Sequence, residues 1–150
     1  MNLGYTISRN CLGLAEIPGA GEHPAIRWAF DLAGLPLAHD DTEAWCGSWQ
    51  GLTAYLAGEP VPAYPARARS WLSVGLEIQL MDALEGDTLV LSRGGDQQPG
   101  PEVLDAQGHV GRLVSHDADL QEVRILAGNQ GNRVSIASFP DSRILGIRRI

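Results

Sequence analysis

The sequence predicts an α+β domain in which helices come first and a mostly antiparallel sheet follows. Up to about residue 74 the apolar side chains recur at helical spacing. From residue 76 onward the pattern changes to short runs rich in Val, Ile and Leu, separated by turn residues. The chain has 150 residues, the length of one ordinary domain that can bury a core without disulfide or metal staples. Residues 1–150 are therefore read as a single domain.

The elements follow in order. A first helix is expected over residues 4–15. A second is expected over "HPAIRWAFDLAG", with Pro24 in its first turn and Gly34 at its end. A third spans 46–57 and is expected to pack on the sheet through Trp49, Leu52, Leu56 and Tyr55. The short run "PARARSWLSVG" closes the helical half. The strands are "DTLVLSR", "HVGRLVSH", "EVRILAG", "RVSIASF" and "RILGIRR", and the polar segment "GGDQQPGPEVLDAQG" reads as a mobile surface loop between the first two. Trp28 and Trp71, at helical spacing, are expected in the core.

Composition narrows the function classes. The net charge is −7, from 18 carboxylates against 11 cations, and every cation is arginine. A nucleic-acid partner is not expected, because sequence-independent binding needs clustered basic side chains to neutralise phosphates. A membrane partner is not expected either, since no apolar run approaches the roughly 18 residues of a spanning helix. The N-terminus lacks a basic region followed by a continuous apolar stretch, so synthesis in the cytoplasm without a signal peptide is the expectation.

Two cysteines are present, Cys11 and Cys46, with no CxxC or Cys/His spacing of a zinc site. Both are read as free thiols. Cys11 recurs with Ile7 and Leu14 at helical spacing and reads as a small core residue. Cys46 stands where an acidic loop, "DDTEAW", becomes a helix. Backbone N–H groups and the helix dipole favour a thiolate there, and the thiolate is the nucleophile.

A nucleophilic thiolate needs an imidazole to take and return protons, and the ring needs a polar group to orient it. "QGHVGRLVS" places His109 at a strand start between glycines that would leave room for a substrate. "LAGNQGNRV" places Asn129 at the end of the next strand, where its amide could meet that ring. "GNQGN" reads equally as a turn. His23, His39 and His116 read as solvated or loop-bonding side chains, and Gly86–Asp87 as a turn entering a strand.

The stretches "AEIPGAGEHPAI", "WCGSW", "ARSWLSVG", "EGDTLVL", "GHVGRLV", "LAGNQGNRV" and "RILGIRR" together resemble the papain-like cell-wall hydrolases, the CHAP group and its NlpC-like relatives, over about Ala15 to Arg149. The resemblance implies a triad of Cys46 as nucleophile, His109 as base and acid, and Asn129 as orienter. It also implies a thioester route with the Cys46 N–H as one oxyanion donor. Trp45, Asp41 and Gln130 are assigned to the substrate site, Asp41 as an acceptor that shapes the loop before the nucleophile.

The implied substrate is the peptidoglycan stem peptide, cut as an endopeptidase or as a muramoyl-alanine amidase. Arg67, Arg69 or Arg112 could read its carboxylates, although each reads first as a surface or structural arginine. Action at the cell wall would follow release by a phage pore or injection as an antibacterial effector, in which case an immunity protein is a further partner. No cofactor or metal is expected, because the Asp and Glu spacing matches no calcium loop. The competing expectation is a structural or binding module of a phage particle or secretion machine with the same fold and little turnover.

Overall fold

A computed structural model describes residues 2–19, 21–94 and 97–150. Three helices precede the sheet: α1 Leu3–Asn10, α2 Pro24–Leu32 and α3 Cys46–Ala57, followed by a 3-10 turn at Ala68–Ser73. The strands are β1 Leu76–Glu77, β2 Thr88–Ser92, β3 Gly108–Asp117, β4 Glu122–Ala127, β5 Ser135–Pro140 and β6 Ile144–Arg149. They form one six-stranded sheet in the order β1-β6-β2-β3-β4-β5, with every pairing antiparallel. The mixed α+β class with leading helices is therefore the observed one. Among the described residues no helix is long and apolar enough to cross a membrane.

Local chemistry sets the boundaries. The Asn2 side chain accepts from the Tyr5 N–H and starts α1, which ends at Asn10 rather than near residue 15. Gly13 has φ of +89°, and the chain then runs beside 132–134 with Gly13 N donating to Val134 O and Glu16 N to Asn132 O, each at 2.9 Å. Extended pairing wins there over the helical periodicity. His23 caps α2 by accepting the Ala25 N–H on its ring, and Gly58 in the left-handed conformation ends α3.

Helix α3 is embedded rather than amphipathic. Its first nine residues, Cys46 to Ala54, are all buried, while Tyr55 and Leu56 are exposed, so the predicted face holds for Trp49 and Leu52 only. Helices α1 and α2 cover one side through a core of Tyr5, Ile26, Phe30, Trp49 and Leu52. The other side packs on Trp71, Val90 and Val110. The opposite face of the sheet carries its own aliphatic cluster, with Leu89, Leu91, Leu113, Ile125 and Ile147 under Ile78 and Leu80. Trp71 is fully buried as expected; Trp28 is not, because it lies on the outward side of α2 and is 46% exposed.

Gly47 lets the chain at residues 65–66 close against α3. A Cβ there would run into the carbonyl oxygens of Pro65 and Ala66. Backbone cannot swing aside as a side chain does, so Gly47→Ala is expected to cost about 1–3 kcal/mol. A lowered urea midpoint at unchanged slope would be the corresponding observation.

Candidate active site

Three elements meet at the N-terminus of α3. Cys46 is its first residue, His109 is the second residue of β3, and the turn after β4 supplies Gln130. The His109 imidazole and the Val110 backbone N–H face the Cys46 thiol, and both favour its ionised form. Both side chains are nearly closed off from solvent, 4% exposed for Cys46 and 6% for His109. The His109 ring stands 5.5 Å from that of Phe139. The first turn of α3 has no side-chain cap, so no side chain competes for its N–H groups.

The partner of the imidazole is Gln130, not Asn129. His109 Nε2 lies 3.1 Å from Gln130 Oε1. The Gln130 amide nitrogen donates to the carbonyl oxygens of Ser135 at 2.5 Å and Ile125 at 3.3 Å. Those acceptors fix the amide orientation: the nitrogen must face the carbonyls, so the oxygen faces the ring and accepts from Nε2–H. The tautomer follows. Nδ1 is left for the Cys46 thiol.

Asn129 has φ of +57°, and it lines the cavity beside His109 without a hydrogen bond to the ring among the described contacts. Gly131 and Asn132 are also left-handed, at +62° and +59°. With left-handed residues on both sides, Gln130 is the residue turned inward, 9% exposed. The assignment of Gln130 to substrate binding gives way to a place against the imidazole for the same reason.

Electrostatics favour a charged pair. Burial opposes ionisation of Cys46, but the hydrogen bond and charge of His109, the Val110 N–H and the Arg93 guanidinium together bring its pKa below the ordinary thiol value. Burial likewise opposes the imidazolium, yet the hydrogen bond and charge of Cys46 and the bond to Gln130 outweigh both burial and Arg93 and raise it. By contrast, burial alone pushes the Cys11 thiol up.

Thiolate and imidazolium coexist where Cys46 has lost its proton and His109 has kept its own. Any rate that depends on the pair should therefore be bell-shaped in pH, its acid limb reporting Cys46 and its alkaline limb His109 as macroscopic values of the pair.

Two cavities adjoin the pair. One, of about 490 Å³, is lined by Cys46, Thr42, Arg67, Arg93 and the wall Asp105–Gly108. The other, of about 400 Å³, holds His109, Asn129, Gln130, Phe139 and Arg143. Arg93 lines both.

Several expected site residues lie elsewhere. Trp45 is fully buried, its indole N–H donating to Glu16 Oε1 at 2.6 Å, so it is part of the core and not of a groove. Asp41 is exposed and lines neither cavity. The loop before the nucleophile is tied by its neighbour Asp40, buried and accepting from the His23 N–H at 2.5 Å. The two glycines around His109 do not open space for substrate alike. Gly108 lines the larger cavity, but Gly111 lies against Ala127 and the Leu126 carbonyl.

Arg69 and Arg112 are fully buried and internal, which agrees with their reading as structural arginines rather than carboxylate readers. Arg112 pairs with Glu59, which in turn accepts the Gly4 N–H at 3.0 Å. Arg69 bonds the carbonyls of Pro99, Gly100 and Gln107 at 2.7–2.9 Å, with Val103 at 3.5 Å. The expected mobile loop includes residues 95 and 96, which lie outside the described residues. Its later part is pinned by this one guanidinium, and that part forms the wall of the Cys46 cavity.

Arg69→Met keeps most of the volume and removes the carbonyl bonds. It is expected to speed amide hydrogen exchange over residues 99–107 by about tenfold or more. Unchanged exchange would show that the wall stands without Arg69.

Among the described residues no group of three or more His, Cys, Asp and Glu side chains is placed to hold a metal ion. Against known proteins, no family model matches the chain, and no curated protein matches it.

Proposed function

We propose that this protein is a cysteine amide hydrolase of the papain-like, CHAP/NlpC-like kind, acting on an amide in or at the base of the peptidoglycan stem peptide. The observation that carries the reading is the relay Cys46, His109, Gln130: a thiol at a helix N-terminus, beside an imidazole that favours its thiolate and whose far nitrogen is held by a fixed amide. The substrate class rests on the resemblance of the sequence motifs to cell-wall hydrolases.

The chemistry follows from the geometry. The Cys46 thiolate attacks the carbonyl carbon, and the developing oxyanion is met by N–H groups at the start of α3. As the C–N bond breaks, the imidazolium of His109 gives its proton to the departing amine. A thioester remains on Cys46. Neutral His109 then takes a proton from water, whose oxygen attacks the thioester carbon, and the acid is released as the thiolate re-forms. Gln130 keeps Nε2 protonated throughout, so the nitrogen facing the sulfur does the exchange.

The protein is then made in the cytoplasm and acts on the wall after release through a phage pore or delivery as an effector, with an immunity protein as partner in the second case. Digestion of purified peptidoglycan, with products read by mass, tests the reading. Release of peptides or of new amino groups that disappears in Cys46→Ala supports it. Tight binding to sacculi with no cleavage of any wall type would instead favour the structural or binding module.

A further inference from the structure

The larger cavity has a charge that runs against the rest of the molecule. The protein carries −7 overall. The cavity at Cys46 is nevertheless lined by Arg67 and Arg93, with Asp105 as its single carboxylate among the described lining residues.

Most of the other arginines are engaged. Arg9, Arg27, Arg112, Arg148 and Arg149 pair with carboxylates, and Arg69 and Arg143 donate to backbone carbonyls. Arg67 and Arg93 have no carboxylate partner among the described residues, and both are exposed. Arg67 is stacked at 4.7 Å over the Tyr64 ring. Stacking uses the flat face of a guanidinium and leaves its N–H edge free for a bidentate acceptor.

The chemistry says which part of a substrate this cavity receives. The larger cavity contains Cys46 and not His109; the smaller contains His109 and not Cys46. The acyl fragment stays bonded to sulfur, whereas the amine leaves toward the ring that protonates it. Arg67 lines the Cys46 cavity and not the His109 cavity, and Arg93 lines both and stands where they meet, so a group held by the two together lies on the acyl side.

We propose that Arg67 and Arg93 read a free carboxylate on the acyl side of the scissile amide, so that the substrate is an acidic peptide and its amidated form is disfavoured. This rests on the hydrolase reading of the same cleft and specifies the substrate for it. Opposite charge in a cleft of an otherwise acidic protein also draws the anion to this one place.

Binding to the Cys46→Ala protein separates recognition from turnover. The probe is the stem tetrapeptide L-Ala-D-Glu-L-Lys-D-Ala, prepared with its carboxylates free and with all of them amidated, each titrated by calorimetry. The free acid should bind about tenfold tighter than the amidated peptide, the worth of one charge-assisted contact in a partly solvated site. Adding Arg67→Gln or Arg93→Gln should each shrink the preference, and both together should erase it. These side chains are exposed, so the fold is not at risk.

Equal affinity for the two peptides, no binding of either, or a preference that survives both substitutions would overturn the proposal. Wild-type digestion of sacculi is scored separately. Cleavage without acid preference leaves the hydrolase and removes the carboxylate site, whereas acid preference without cleavage does the reverse.

Discussion

Cys46→Ala is expected to eliminate the proposed cleavage of peptidoglycan amide bonds, and His109→Ala to do the same. The nucleophile has no substitute: Cys11, the other thiol, belongs with the core around α1, and burial raises its pKa. Without Cys46 no thioester forms. Without His109 the thiol loses both the hydrogen bond and the charge that bring its pKa down, and the leaving amine loses its proton donor. Residues that act as one unit fail together, so each single replacement should cost about as much as both, on the order of 10⁴-fold or more in kcat. Cys11→Ala should leave the rate near wild type. A folded Cys46→Ala protein that still turns over would end the account.

The second large effect is expected at Gln130. Gln130→Ala removes the acceptor for His109 Nε2–H and strips the Ser135 and Ile125 carbonyls of their donors. Nucleophile, imidazole and helix N-terminus remain, so the rate should fall by about 10- to 1000-fold and not vanish. Stability should fall too, by about 1–3 kcal/mol for buried groups left unpaired, so rates are compared at a temperature where both proteins are folded.

The pH profile isolates the positioning role. The Gln130 bond helps to raise the His109 pKa, so its loss should move the alkaline limb to lower pH. Gln130→Glu puts a carboxylate against the ring and should move that limb upward, although its oxygens repel the two carbonyls. Asn129→Ala should do little. If Asn129→Ala instead shows the large loss and Gln130→Ala a normal profile, the turn has been read one residue out of place.

That one-residue difference shows where the sequence stops being legible. Cys46 and His109 can be found because a helix start and a strand start are marked by residues that change the local period. Asn129 and Gln130 are adjacent, and the inward one is selected by left-handed backbone at Asn129, Gly131 and Asn132, which breaks the simple alternation of a strand. The burial of Trp45 is hidden from the sequence for a related reason. Gly128 has no Cβ, which would otherwise strike the Trp45 ring, and that allows the indole into the core beside the nucleophile.

Arg93 reaches the site through strand register, which the sequence alone does not fix. In a hairpin of β2 and β3, Leu91 stands opposite His109 and Ser92 opposite Gly108, so the next residue leaves the strand beside the cleft. The five main strands were legible because their aliphatic runs are bounded by turn residues. The end of α1 was not, because its continuation is decided by pairing with a segment more than a hundred residues away.

In the proposed mechanism Cys46 is held as a thiolate by His109. The most direct measurement is the rate of alkylation of each cysteine by iodoacetamide as a function of pH, resolved by peptide mass. Cys46 should react at lower pH than Cys11, and that advantage should be lost in His109→Ala. Should Cys46 titrate no earlier than Cys11, or keep its reactivity without His109, the paired thiolate does not exist and the proposed mechanism fails with it.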